Sequence, residues 1–333
     1  MNIIIPMAGR GSRLRPHTLT TPKPLVHVAG KPIVEWLAED IISFCPESPD
    51  TIGFVIGDFG KEVEQSLLDV AQHLGAKGKI YHQDRPLGTA HAIMCAQELL
   101  TAKTVVAFAD TLFRTDYVID TDKDGVIFVQ QVEDPSAYGV VTLSPEGYIQ
   151  NFVEKPSDFV SDLAIVGIYY FKDGAKLKSA MQYLLDNNIT TKGEYQLTDA
   201  MEMLKKEGVK YYPGTIDEWL DCGNKAAVVH TNKRWLDIKS DALSSLEPKS
   251  ENSVIIPPCY FGKNVTIKNA IVGPYVSIGE NSEILNSVIA NTLIQNGTYI
   301  ANKVIHNAMI GAHASVIGNV SDYSISDYSE ILE

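Results

Sequence analysis

The residues that could do chemistry begin in a short basic loop. Arg10, Arg13, Arg15, Lys23 and Lys31 fall within residues 1–34, a stretch with no Asp or Glu, in a 333-residue chain of net charge −13. A local excess of cations in an acidic protein suits an anion, and its setting among Gly and Pro separates it from a solvated helical face. The run Pro6-Met7-Ala8-Gly9-Arg10-Gly11-Ser12-Arg13-Leu14-Arg15-Pro16 follows an apolar strand, Asn2–Ile5. Glycines in such a turn expose backbone N–H groups and let a phosphate come close. Leu14 occupies the third position of a G-x-G-x-x-G pattern, so the loop is not a dinucleotide fingerprint, and no P-loop pattern is present. Pro16, Pro22 and Pro24 rule out an immediate helix and predict an extended chain to about Leu25.

Two carboxylates and one amide elsewhere in the chain are further candidates for chemistry. Asp110 ends the apolar run Val105-Val106-Ala107-Phe108-Ala109, and a carboxylate at the carboxyl end of a strand in an open α/β sheet faces the ligand crevice. Asp221 follows the strand-like Glu218-Trp219-Leu220. Two carboxylates with phosphate oxygens suffice for Mg²⁺, which keeps several waters and takes few protein ligands. Gln83, after a strand over Lys79–His82, offers a paired donor and acceptor of the kind that reads a base edge. His91 reads as a packed or capping residue, not a catalyst.

The elements that must position these groups alternate to about residue 240. Strands are expected at Thr51–Ile56, Lys79–His82, Thr104–Ala109, Val126–Val132, Tyr138–Leu143 and Ile165–Phe171. Helices are expected near Ile33–Ile41, Lys61–His73, Thr89–Leu100, Ala175–Asn187, Gln196–Glu207 and Ala226–Ile238. This order predicts an α/β domain over 1–240 with a Rossmann-like, mixed but mostly parallel sheet. The polar stretch 241–253, with Pro248, reads as a linker. From 254 to 333 apolar anchors recur every five or six residues: Phe261, Ile267, Val272, Ile278, Ile284, Ile289, Ile294, Ile300, Ile305, Ile310 and Val316. Neither a helix nor a hairpin has this period; a solenoid of short strands does.

Composition bounds the rest. Hydrophobic residues make up 45% and charged residues 21%, a globular profile. No apolar run reaches the roughly 20 residues of a membrane helix. The four cysteines are widely spaced, without a C-x-x-C pair, which fits a reducing cytoplasm and argues against a zinc site. The acidic balance argues against nucleic acid as a partner.

The segment from Ala8 to Leu25, A-G-R-G-S-R-L-R-P-H-T-L-T-T-P-K-P-L, resembles the signature of the sugar-phosphate nucleotidyltransferases. Further matching pieces follow in order: Leu87-Gly88-Thr89-Ala90-His91, Phe108-Ala109-Asp110, Tyr138-Gly139-Val140, Val153-Glu154-Lys155-Pro156, Lys192-Gly193-Glu194 and Trp219-Leu220-Asp221-Cys222-Gly223. The anchor repeat is similar to the left-handed parallel β-helix of hexapeptide-repeat proteins, here of three to four turns. The resemblance implies transfer of a nucleotidyl group from dTTP or UTP to a hexose 1-phosphate, glucose 1-phosphate being favoured, with Mg²⁺ and release of pyrophosphate. The alternatives are guanylyl transfer to mannose 1-phosphate, or a non-catalytic regulatory homologue. It places Ala8, Gly9, Gly11, Ser12, Gln83, Gly88 and Thr89 at the nucleotide, with Gln83 five residues before Gly88. Arg13 and Lys23 would hold the β- and γ-phosphates as catalytic groups; Asp110 and Asp221 would hold the metal. Gly139, Glu154, Lys155, Lys192 and Glu194 would take the sugar phosphate. Lys192 stands where arginine is usual, and Thr111 where asparagine often follows the metal aspartate. A cytoplasmic homo-oligomer, with the β-helix packed on the catalytic domain or joining subunits, is the expected setting.

Overall fold

The computed structural model describes residues 1–319 apart from Arg10, Lys155, 240–242 and Ser244. The chain forms two compact units: Met1–Val26 with Lys31–Ala227, and His27–Gly30 with the chain from Val228 onward. The first part of the chain runs β1 (Asn2–Pro6), β2 (His27–Val28), β3 (Lys31–Pro32), α1 (Ile33–Phe44), β4 (Thr51–Ile56), α2 (Lys61–His73) and β5 (Lys77–His82). Then follow α3 (Thr89–Cys95), β6 (Thr104–Ala107), β7 (Thr111–Arg114), β8 (Gly125–Gln131), β9 (Gly139–Leu143), β10 (Ile149–Glu154) and β11 (Leu163–Phe171). The sequence continues with α4 (Gly174–Asp186), α5 (Leu197–Lys206), β12 (Tyr211–Thr215), β13 (Glu218–Asp221) and α6 (Lys225–Ile238).

In the first unit the main sheet has the order β10-β9-β11-β6-β1-β4-β5, with β8 joining β11 to β12. β6, β1, β4 and β5 run parallel, while β11 pairs antiparallel with β6, β8 and β9. The sheet is mixed. β4, Thr-Ile-Gly-Phe-Val-Ile, is buried at every position, as a central parallel strand covered on both faces must be. Ile127 packs in the cluster that contains Leu177, Met181, Ala200 and Leu204 of α4 and α5. Its neighbour Phe128 lies 4.9 Å from the Phe44 ring of α1. Successive strand residues point to opposite faces, so α1 and the α4–α5 pair cover the two sides of the sheet.

The basic loop is not extended, contrary to the expectation from its prolines. It makes three 3₁₀ turns, Ser12–Leu14, His17–Leu19 and Lys23–Leu25. A 3₁₀ turn asks only for an acceptor three residues back, and prolines supply it: Leu19 N–H donates to Pro16 O at 3.1 Å and Leu25 N–H to Pro22 O at 2.9 Å. Proline blocks the α-helix and leaves this tighter turn open.

The second unit is a coil of three parallel sheets. Their strand orders are β14 (Lys249–Glu251), β17 (Thr266–Lys268), β20 (Glu283–Leu285), β23 (Tyr299–Ala301), β26 (Ser315–Ile317); β15 (Val254–Ile255), β18 (Ile271–Val272), β21 (Val288–Ala290), β24 (Val304–His306); and β16 (Cys259–Phe261), β19 (Val276–Ile278), β22 (Thr292–Ile294), β25 (Met309–Ile310). This arrangement is consistent with a left-handed β-helix. The stretch expected as a linker, 241–253, contains β14, which pairs with β17 as the first rung. The expected end of the repeat, from 320 to 333, lies outside the described residues. Ile267, Val272, Ile278, Ile284, Ile289 and Ile300 are wholly buried and form the stack inside the coil. Asparagines turn the corners in the left-handed region, Asn252, Asn269, Asn286 and Asn302 at φ 47°, 51°, 46° and 57°. Their amides bond along the stack at 2.8, 3.2 and 3.0 Å. Asn tolerates this backbone because its short polar side chain finds local partners. In the same unit the buried Asn232 of α6 accepts from Ala29 N–H at 3.0 Å and from the Ser277 hydroxyl at 2.7 Å.

Ile289→Ala, which removes the centre of the stack, is expected to lower unfolding free energy by about 2–5 kcal/mol. Urea denaturation followed by circular dichroism checks it. An unchanged midpoint would contradict a continuous packed interior.

Candidate active site

The site follows from the strand order. The chain proceeds from β1 outward through β4 to β5, then returns to β6 on the other side of β1. β1 and β6 are in parallel register, Asn2 with Thr104 and Ile4 with Val106, so their carboxyl ends emerge side by side. Such a switch point is where open α/β sheets bind ligands. A cavity of about 850 Å³ lies there, entirely within the first unit.

Ala8, Gly9, Gly11, Ser12, Arg13 and Lys23 of the loop line this cavity, with Gln83, Gly88, Thr89, Asp110, Glu194 and Asp221. Gly11 sits at φ +59°, and a Cβ there would come within 2.9 Å of Lys23 Cβ, so the loop closes over the lysine only at glycine. Lys23 is 7% exposed. Its Nζ lies 3.4 Å from Asp110 O and 3.8 Å from Asp110 Oδ2. Arg13 is exposed and makes no ion pair among the described residues. Arg10 lies outside them.

Asp221 reaches the same place through a two-stranded ribbon. β13 pairs antiparallel with β7, Asp221 opposite Thr111, and Cys222 N–H donates to Asp110 O at 3.1 Å. Asp221 Oδ1 accepts from Gly223 N–H at 2.8 Å. Among the described residues no group of three or more His, Cys, Asp or Glu is placed to hold a metal. Thr111, the residue that departs from the expected asparagine, is buried inside the ribbon, where its hydroxyl accepts from Trp219 Nε1–H. Trp219 in turn packs on Tyr138 with ring centroids 4.9 Å apart, and both rings line the cavity.

At the other end, Gly88 has φ +113° and starts α3. Tyr195 N–H donates to Leu87 O at 2.8 Å, and Ala90 N–H donates to Tyr195 O at 2.9 Å. These bonds bring Glu194 to the wall beside Gly88. The Thr89 hydroxyl accepts from Leu197 N–H at 2.9 Å and lies 3.1 Å from Gln196 Oε1, so it holds the start of α5 as well as lining the cavity. Glu194 Oε2 accepts from Gln196 Nε2 at 2.9 Å.

The residues expected at the sugar phosphate are less gathered. Gly139 and Glu154 face each other across β9 and β10 and do not line the cavity, although Tyr138 does. A Cβ on Gly139 would lie 2.9 Å from Glu154 Oε2, so the glycine makes room for that carboxylate. Lys192 stands at φ +54° with Gly193 at +83° in a tight turn closed by Thr191 and Glu194, outside the cavity lining. Lys155 lies outside the described residues. Tyr169, which is buried, has its phenol pushed up by burial and then by the nearby charges of Glu154 and Asp110.

Sequence reasoning missed the wall formed by Val166 and Gly167. Gly167, at φ +93°, interrupts the β11 register between Ile165 and Tyr169, and its carbonyl accepts from Phe108 N–H at 3.0 Å. A glycine inside Ile-Val-Gly-Ile-Tyr is the sequence signal of such a bulge.

A family model described as nucleotidyl transferase matches residues 2–237, and the chain belongs to that family of enzymes. It is 28% identical to a glucose-1-phosphate thymidylyltransferase of Streptomyces antibioticus, over 99% of each chain. It is 31% identical to the catalytic subunit beta of a mannose-1-phosphate guanylyltransferase of Drosophila pseudoobscura pseudoobscura, over 84% of this chain and 71% of that one. Its fold matches a UDP-glucose pyrophosphorylase complexed with UDP-glucose at a TM-score of 0.58 and 22% identity, covering 71% of this chain and 98% of that one. No helix among the described residues is long and apolar enough to cross a membrane.

Gly88→Ala should destabilise the protein by about 1–3 kcal/mol, because its Cβ would meet Tyr195 O at 2.5 Å in a backbone conformation that alanine resists. Gly60→Ala, at φ +85° with open space, carries the conformational strain alone. Thermal unfolding should rank Gly88→Ala well below Gly60→Ala. Equal losses would mean that the Gly88–Tyr195 approach contributes nothing.

Proposed function

We propose that the cavity joins a nucleoside triphosphate to a hexose 1-phosphate, with dTTP or UTP and glucose 1-phosphate as the leading pair. The observation that carries this reading is the exit of the basic loop and of Asp110 side by side at one switch point, Lys23 lying against Asp110. In the reaction a phosphate oxygen of the sugar attacks the α-phosphorus, and the bond from that phosphorus to the pyrophosphate oxygen breaks. The nucleophile is already an anion near neutral pH, so no general base is needed. The difficulty is repulsion between two polyanions and charge on the leaving pyrophosphate, which positioned cations relieve.

Arg13 and Lys23 would hold the β- and γ-phosphates, the guanidinium as a planar fork and the ammonium as a point charge. Ala8, Gly9, Gly11 and Ser12 would supply backbone to the phosphates, and Gln83 with Gly88 would meet the base. Lys155 would bind the phosphate of the sugar substrate, Glu154 would accept hydrogen bonds from its hydroxyls, and Glu194 would complete the wall of the pocket. The donor set of Asp110 and Asp221 suits Mg²⁺, which is satisfied by one or two carboxylates with phosphate oxygens and water. When bound there, Mg²⁺ would supply charge neutralisation at the reacting phosphates. The full-length match to the Streptomyces thymidylyltransferase supports this pair of substrates. Guanylyl transfer to mannose 1-phosphate is a second reading, favoured by the 31% identity to the Drosophila protein.

Pyrophosphate release across four triphosphates and several sugar 1-phosphates tests the proposal. Release with dTTP or UTP and glucose 1-phosphate is expected; silence with every pair would overturn it. Asp110→Asn and Lys23→Ala should each reduce kcat about 10²–10³-fold with an unchanged circular-dichroism spectrum. Gly139→Ala, by displacing the Glu154 carboxylate, should raise KM for the sugar 1-phosphate and leave that for the triphosphate. The reverse pattern would take Glu154 away from the sugar.

A further inference from the structure

Gln83 lines the cavity, whereas His91 stands behind it and does not. Gln83 follows β5, and its Nε2 lies 3.3 Å from Gly88 O and 3.1 Å from His91 Nδ1. The two ends of an amide are told apart by their partners. A carbonyl oxygen only accepts, so the end of Gln83 that meets Gly88 O is the NH₂. The same NH₂ meets His91 Nδ1, which must then accept, so the imidazole is neutral with its proton on Nε2. Burial lowers the His91 pKa from its ordinary value, which favours that form at neutral pH. Gly88 O also accepts from Ala92 N–H at 3.1 Å, one donor for each lone pair. Both hydrogens of the Gln83 amide are thereby committed, and among the described residues no donor reaches Oε1. The cavity is offered an acceptor.

We propose that His91 is a positioning residue for base choice: it holds the Gln83 amide in the one orientation that presents Oε1, and so selects triphosphates whose base edge carries a ring N–H. Uracil, thymine and guanine have such a group. Cytosine and adenine present a lone pair at the corresponding ring nitrogen, which faces Oε1 with repulsion in place of a hydrogen bond. The inference rests on Gln83 meeting the base, as in the proposed function, and adds the group that fixes how it does so. Nothing in it requires His91 to touch the ligand. A histidine that only packed would, when replaced, weaken all triphosphates alike.

The test uses the full chain and measures kcat and KM for UTP, dTTP and CTP, with calorimetric binding of UTP and CTP as a readout independent of turnover. His91→Leu removes the acceptor, and the preference for UTP over CTP is expected to shrink about 3–10-fold through the triphosphate KM. KM for the sugar 1-phosphate should stay within about twofold of its original value, since the sugar end is untouched. His91→Gln, which restores an acceptor, should recover the preference. Should His91→Leu fail to fold, the half-buried position admits His91→Lys, a donor only, for which the same collapse is expected. An unchanged UTP:CTP ratio, or an equal loss for all three triphosphates, overturns the proposal. Gln83→Leu separates the two layers. If discrimination survives in Gln83→Leu, the base reading itself fails; if it collapses there but survives in His91→Leu and His91→Lys, only the role of His91 fails.

Discussion

A lysine removed from water needs partners, and the partners of Lys23 tie the first unit together. Its ammonium meets the carbonyl and carboxylate of Asp110 at 3.4 and 3.8 Å. That same carbonyl takes Cys222 N–H, which fixes the β7–β13 ribbon and so the position of Asp221. On the other side, Gly11 lets the loop close on the lysine, and the Thr18 hydroxyl secures Gly11 O at 2.8 Å. Cation and carboxylate are thus held together by the chain's own contacts. Asp110 retains 59% side-chain exposure, so its charge still faces the cavity.

How much of this was legible depended on whether a feature was periodic or local. The β-helix anchors were readable because the coil repeats its environment every 16 or 17 residues, and a buried position must recur with it. The central parallel strands were readable because burial on both faces leaves continuous apolar runs. The edges were not. β12, which was not among the expected strands, contains Pro213-Gly214 and pairs with β8 on one side only, where proline is tolerated. β10 carries Gln150 and Asn151, both exposed at the opposite margin of the sheet. The 3₁₀ turns of the loop escaped because proline forbids one kind of helix and permits another. Of the site, the residue types were plain: Lys23, Asp110, Asp221 and Gln83 all line one cavity. The internal hydrogen bonds were not. Nothing in the sequence says that the Thr111 hydroxyl accepts from Trp219, or that His91 faces Gln83.

Hydrogen bonds and ring packing join distant parts of the chain into the walls of the cavity. Gly88 and Glu194, which lie more than a hundred residues apart in sequence, are joined by the pair of bonds between Leu87, Ala90 and Tyr195, and the Thr89 hydroxyl adds the start of α5 to the same piece. At the opposite wall, Tyr138 packs on Trp219, and Trp219 is hydrogen-bonded to the residue after Asp110.

The order of the sheet separates three tasks in space. Gln83 follows β5 at one edge, the loop and Asp110 follow β1 and β6 at the centre, and Gly139 and Glu154 lie on β9 and β10 at the other edge. On the proposed reading, base recognition follows β5, phosphate handling follows β1 and β6, and sugar recognition is shared between β9–β10 and Glu194, which lies beside Gly88 at the base end. The central task is constrained by charge: two polyanions must be brought together, and few arrangements of cations and carboxylates allow it. The two edges carry no such constraint, because hydrogen bonds to a base or to sugar hydroxyls can be rearranged without touching Lys23 or Asp110. Relatives named for thymidylyl and for guanylyl transfer fit that division, since what differs between their substrates is the base and the sugar, not the phosphates between.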